Sequence, residues 1–276
     1  MPGDRGIAET VRLHDRDAWL ASLFAPETAR PDLISLHAFA YEIGRIRDLV
    51  SDPTVGEIRL QWWRDTLAAG GTTGHPVADA VVGTASRLAT APAMLDRYLE
   101  ARVFDLYDDP ITDIGMLEAY AGETASALLQ LGATALDADA ASSATDASGY
   151  GGVALTIVRT LTGLAHASAR FQPFVPADLV ARHEAHRSDL VIGTTTPAMV
   201  AVLSDFRAHA RRRLVEAEAA VRALPPQIRS AYLPLATVGP MLDRLDAMTD
   251  TPLVPPRELS PLRRQWLIWR AARRWA

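Results

Sequence analysis

Apolar residues recur along this chain at helical spacing, and no segment shows the strict alternation of a half-buried strand. The pattern predicts helices over about residues 32–51, 55–70, 76–91, 93–106, 112–134, 140–164, 195–224, 227–247 and 259–275. Punctuation supports these limits. Pro31-Asp32 opens one helix and Pro53 closes it, Gly70-Gly71-Thr72-Thr73-Gly74 is a turn, and Pro225-Pro226 breaks a long helix. Residues 136–152, rich in Ala, Ser, Asp and Gly, read as a surface loop leading into a helix. No internal repeat or composition break divides the chain. The expectation is an all-α fold, one helical domain over residues 1–276, with residues 1–14 as a mobile tail.

Composition narrows the chemistry. The 276 residues can bury a sizeable core, and a net charge of -5 gives no basic field for nucleic acid. No cysteine is present, which removes disulfides and thiolate chemistry, and no lysine is present, which removes Schiff-base catalysis and the P-loop. All 28 basic residues are therefore arginine, consistent with a composition bias. The N-terminal stretch lacks the apolar core of a secretory signal, and no apolar run could span a bilayer, so the expected location is cytoplasmic, peripheral at most to the inner membrane.

Several arrangements could carry chemistry. Tyr41, Arg45, Asp48 and Asp52 are spaced i, i+4, i+7, i+11, which on a continuous helix gives one polar face. Glu57, Gln61 and Arg64 share a face of the next helix, beside the pair Trp62-Trp63. His183-Glu184-Ala185-His186 is one residue short of the zincin spacing and lacks a third ligand. Asp105-Leu106-Tyr107-Asp108-Asp109 reads as a solvated, helix-ending turn. The C-terminal helix mixes arginine with Trp266, Trp269 and Trp275, which suits either a docked helix or one lying on an anionic membrane surface.

The segment Leu36-His37-Ala38-Phe39-Ala40-Tyr41-Glu42-Ile43-Gly44-Arg45-Ile46-Arg47-Asp48 resembles the first signature of squalene and phytoene synthases. In that family an Ala-Phe segment runs into an Asp-Asp-x-x-Asp cluster, where this chain has Gly44-Arg45-Ile46-Arg47-Asp48. Residues Asp17 to Pro26 are similar to the family's N-terminal Ser-Phe-Tyr segment, and Tyr120-Ala121-Gly122-Glu123-Thr124-Ala125 to its Tyr-x-x-x-Val-Ala-Gly helix. Phe174-Val175-Pro176-Ala177-Asp178-Leu179 resembles Tyr-Leu-Pro-x-Asp-x-Leu, and counting back from it sets the second acidic motif at Gly163 and Ala167. Gly56-Glu57-Ile58-Arg59-Leu60-Gln61-Trp62-Trp63-Arg64-Asp65 resembles the branch of the family that serves respiratory complex I assembly.

The resemblance implies an isoprenoid-synthase-type bundle with a central apolar cavity. It implies a site for a prenyl diphosphate or other lipid-like ligand at Tyr41, Arg45, Asp48, Asp52, Arg59, Gln61 and Arg170. No residue is assigned a catalytic role. Ionising an allylic diphosphate calls for Mg²⁺ held by carboxylates on both sides of the pocket. The resemblance leaves Asp48 and Asp52 on the first side and none on the second. Two functions follow. One is a non-catalytic or weakly catalytic factor in respiratory complex I assembly, with a respiratory-complex subunit as partner and no certain cofactor. The alternative is an active Mg²⁺-dependent prenyltransferase that condenses two allylic prenyl diphosphates.

Overall fold

A computed structural model describes residues 2–169, 174–248 and 253–275. Among them there is no strand. The helices are α1 (Pro2–His14), α2 (Arg16–Ser22), α3 (Arg30–Gly44), α4 (Ile46–Leu49), α5 (Pro53–Ala69), α6 (Pro76–Arg87), α7 (Ala91–Val103), α8 (Ile114–Ala121) and α9 (Ala127–Leu136). They continue with α10 (Thr145–Thr162), α11 (Leu164–Ala169), α12 (Ala177–Arg182), α13 (Arg187–Ile192), α14 (Pro197–Ala223), α15 (Val238–Asp246) and α16 (Pro261–Trp275). Proline near the start of α5, α6, α7 and α14 fits the first turn, where no backbone N–H donor is missed. Side chains satisfy other free N–H groups: Asp52 accepts from Thr54 N at 2.9 Å, Asp113 from Met116 N at 2.9 Å and Thr196 from Met199 N at 3.1 Å.

Four departures from the periodicity have physical causes. The helix expected over 32–51 breaks at Arg45, and Val50 is extended before Asp52 caps α5. Tyr41, Arg45, Asp48 and Asp52 therefore do not share one continuous helix face. The expected tail is helix α1, held by Ile7 and Val11, which are buried against the core. The expected loop 136–152 is mostly helical, with one face buried: a short 3₁₀ turn over 140–143 leads into α10, where Ala147, Gly151 and Gly152 are small enough to pack tightly on its neighbours. In place of α-helix, residues 226–237 form a long 3₁₀ segment; Pro234 lies inside it and can donate no backbone hydrogen bond.

Two apolar clusters organise the bundle. One gathers α8 to α10, α14, α15 and the 3₁₀ segment around Phe206 and Tyr232; the other gathers α3 and α5 to α7 around Phe39, Trp63, Tyr98 and Leu99. Between α8 and α9 the chain makes one π-turn, Gly122–Ser126. Gly152 of α10 sits directly on Ser126 of that turn.

Candidate functional site

A cavity of about 760 Å³ opens between the two clusters. Its apolar wall includes Ala125, Leu128, Leu155, Val158, Val238 and Met241. Phe174, Pro234 and Leu259 add to that wall, while arginines, aspartates, histidines and tyrosines also line the space, so it is only partly the apolar cavity implied by the fold. Gly44 from the first signature lines it, as do Gly163 and Ala167 from the second. These three positions, which the resemblance assigns to metal-binding aspartates, therefore border one space, and none of them carries a carboxylate.

Arginine occupies that space instead. A methyl group added at Gly44 would lie 2.9 Å from Nη2 of Arg102. Arg102 is held from three sides: Nε lies 2.9 Å from Asp105, Nη1 donates to the Tyr120 hydroxyl at 2.9 Å, and the guanidinium sits 5.9 Å from the Tyr98 ring centre. Tyr120 in turn donates to Asp105 at 2.7 Å. Burial alone would lower the Arg102 pKa, but Asp105 and the two tyrosines outweigh it and raise it. Burial and Asp105 hold the Tyr120 phenol well above its ordinary value, against the pull of Arg102. This cluster is a fixed ion pair with two neutral phenols.

Asp15, Asp17 and Arg47 on the lining are paired too. Asp15 caps α2 through Ala18 N at 3.1 Å, receives Arg159 at 3.2 Å and faces His37 at 3.7 Å. Burial would raise its carboxyl pKa, but the nearby His37 ring, the charge of Arg159 and the cap on α2 together hold it well below the usual range. Asp17 receives Arg264 at 2.6 Å and Thr237 at 2.8 Å, yet burial still raises its carboxyl pKa. Arg47 reaches Asp108 at 3.4 Å. Each of the four arginines on the lining thus has its own carboxylate within 3.4 Å.

Mg²⁺ does not fit this arrangement. No group of three or more His, Asp or Glu among the described residues could hold a metal. Three of the acids that line the cavity, Asp15, Asp17 and Asp105, are already bound to arginine, and Asp48 meets His166 at 3.2 Å. His166 stands between the two second-motif positions, so the signatures do face each other, but as a histidine–aspartate pair.

The other candidates scatter. Tyr41 lines the cavity, stacked on His14 at 4.0 Å. Arg45 lies over the Tyr41 ring at 5.5 Å and near Glu42 at 3.7 Å. Asp52 is used as a helix cap. Arg59 is exposed on α5, and Gln61 is exposed there and donates to Asp65 at 2.8 Å. Arg170 lies outside the described residues. On the same helix Trp63 is core and Trp62 is exposed. His183 of the incomplete zincin motif pairs with Asp205 at 2.8 Å.

Asp105 corrects the reading of 105–109 as a solvated turn, because it is buried against Arg102. A signal was present: Tyr98, Arg102 and Asp105 repeat the Tyr-x-x-x-Arg-x-x-Asp spacing of Tyr41, Arg45 and Asp48. The repeat lies on a helix end in the apolar cluster, so its polar face is buried. Trp275 is buried too, which leaves Trp266 and Trp269 as the surface tryptophans of α16.

Comparison with known proteins agrees with the fold. The bovine (Bos taurus) protein "NADH dehydrogenase (ubiquinone) complex I, assembly factor 6" is 28% identical over 250 residues, covering 88% of this chain and 73% of the bovine one. Among solved structures, squalene synthase HpnC from Alicyclobacillus acidocaldarius superposes with a TM-score of 0.73 at 18% identity, over 91% of this chain and 95% of its own. A dehydrosqualene synthase in complex with ligand gives 0.77 at 14% identity, over 99% of this chain and 96% of its own. At such identities the structural likeness shows the fold, an isoprenoid-synthase-type bundle. The squalene/phytoene synthase family model matches residues 11–270, and the chain belongs to that family.

Proposed function

We propose that this protein is a squalene/phytoene-synthase-like factor in respiratory complex I assembly, without the family's metal-dependent catalysis. One observation carries the reading. At the two places where carboxylates would hold Mg²⁺ the cavity has Gly44, Gly163 and Ala167, and its four arginines are neutralised by the protein's own acids. Diphosphate ionisation needs positive charge that is free to receive the leaving group. The likeness to complex I assembly factor 6 supplies the direction of the reading. The prenyltransferase alternative has less support, since it must work without an acidic motif on the second side.

The partner is then a subunit or intermediate of the respiratory complex, and the site of action is a membrane surface. No helix among the described residues is long and apolar enough to cross a membrane. Contact would be peripheral, through α16, where Trp266 and Trp269 are 48% and 45% exposed beneath Arg270 and Arg273. Deleting the gene in its own host tests both proposals. We expect loss of assembled complex I on native gels, restored by a tagged wild-type copy that sediments with membranes and is released by alkaline carbonate. Normal complex I in the deletion strain would remove the assembly role, and a copy found only in the soluble fraction would remove the membrane contact.

A further inference from the structure

The family's ligand head is a diphosphate, and the lining of this cavity is ill-suited to one. Arg47, Arg102, Arg159 and Arg264 bring four positive charges, and each already faces Asp108, Asp105, Asp15 or Asp17. A diphosphate entering here would meet three of those carboxylates on the cavity wall, and each arginine among the described lining residues is already paired. The cavity volume of about 760 Å³ is nevertheless typical of a small-molecule site. Its apolar wall, from Ala125 to Met241, would bury a hydrocarbon chain.

The lining also holds a phenol donor, Tyr98. Tyr98 is 3% exposed and lines the cavity, and its hydroxyl has no hydrogen-bond partner among the described residues. Burial raises its pKa above 10.0, so it is a neutral donor. The ring is fixed by Phe39 at 5.4 Å. A phenol held on the cavity wall with no protein acceptor can donate to an oxygen of a molecule in the cavity.

We propose that the cavity binds a neutral, lipid-like molecule bearing a hydrogen-bond-accepting oxygen, to which Tyr98 donates, and discriminates against prenyl diphosphates. This inference rests on the reading above that the old metal site is filled by ion pairs. The experiment is calorimetric titration of the full chain with farnesol and with farnesyl diphosphate, each with and without Mg²⁺, on wild type and Tyr98→Phe. Farnesol should bind at least about 10-fold more tightly than the diphosphate, with no Mg²⁺ effect. Tyr98→Phe keeps the ring and should weaken farnesol about 2- to 10-fold, and its unchanged melting temperature would show the fold intact. Equal farnesol affinity in the variant, or no farnesol binding to wild type, would overturn the ligand assignment while leaving the assembly reading standing. Tighter, Mg²⁺-enhanced binding of the diphosphate would overturn both.

Discussion

Arg102→Met is expected to destabilise the protein by about 3–4 kcal/mol, read as a fall in the urea midpoint with an unchanged slope. The reason is Asp105. Its carboxylate is buried, and Arg102 supplies the counter-charge at 2.9 Å. Methionine fills much of the volume but removes the positive charge that faces the Asp105 carboxylate, to which the Tyr120 hydroxyl donates at 2.7 Å. Such a carboxylate must take up a proton or draw in water, and either costs about as much as breaking a buried ion pair. Asp105→Leu added to Arg102→Met should recover most of the loss, because replacing both partners by apolar groups leaves no unpaired charge. If the double variant were as unstable as the single, packing rather than charge would be the cause.

Gly152→Ala should be as severe, with a loss of about 3 kcal/mol or more, or failure to fold. A methyl group at this position would overlap the Ser126 hydroxyl and backbone nitrogen and approach the Ser126 Cα at 2.6 Å. Backbone cannot swing aside as a side-chain tip can, so α10 would have to move off the π-turn and disturb the cavity wall at Thr124 and Ala125. Gly149 is the control on the same helix. A methyl group there meets nothing within 4 Å, and Gly149→Ala should be neutral or stabilising by up to about 1 kcal/mol. Thermal melts of the two variants side by side separate close approach from helix propensity.

These residues also show what could be read from the chain alone. Helices with strong local signals were legible: α5, α6 and α14 begin where a cap meets an early proline, within a few residues of the expected limits. The π-turn and the 3₁₀ segment were not, because both depend on long-range packing that leaves the apolar spacing nearly unchanged. The break at Arg45 was hidden for the same reason. In the site, the loss of carboxylates at Gly44, Gly163 and Ala167 was visible as a departure from the family pattern. What replaced them was not, since Arg102 comes from a helix about sixty residues away in sequence, and only the fold sets it against Gly44. Asp105 read as solvent-facing because acids beside proline usually are; its partner one turn earlier reverses that.

The central claim is that this member of the squalene/phytoene synthase family has exchanged its metal site for internal ion pairs. The most direct measurement is pyrophosphate release by the purified protein from farnesyl or geranylgeranyl diphosphate, with Mg²⁺ and with a chelator. Release with Mg²⁺ should equal that of the chelator control. Mg²⁺-dependent release that scales with protein concentration and yields a coupled prenyl product would contradict the claim.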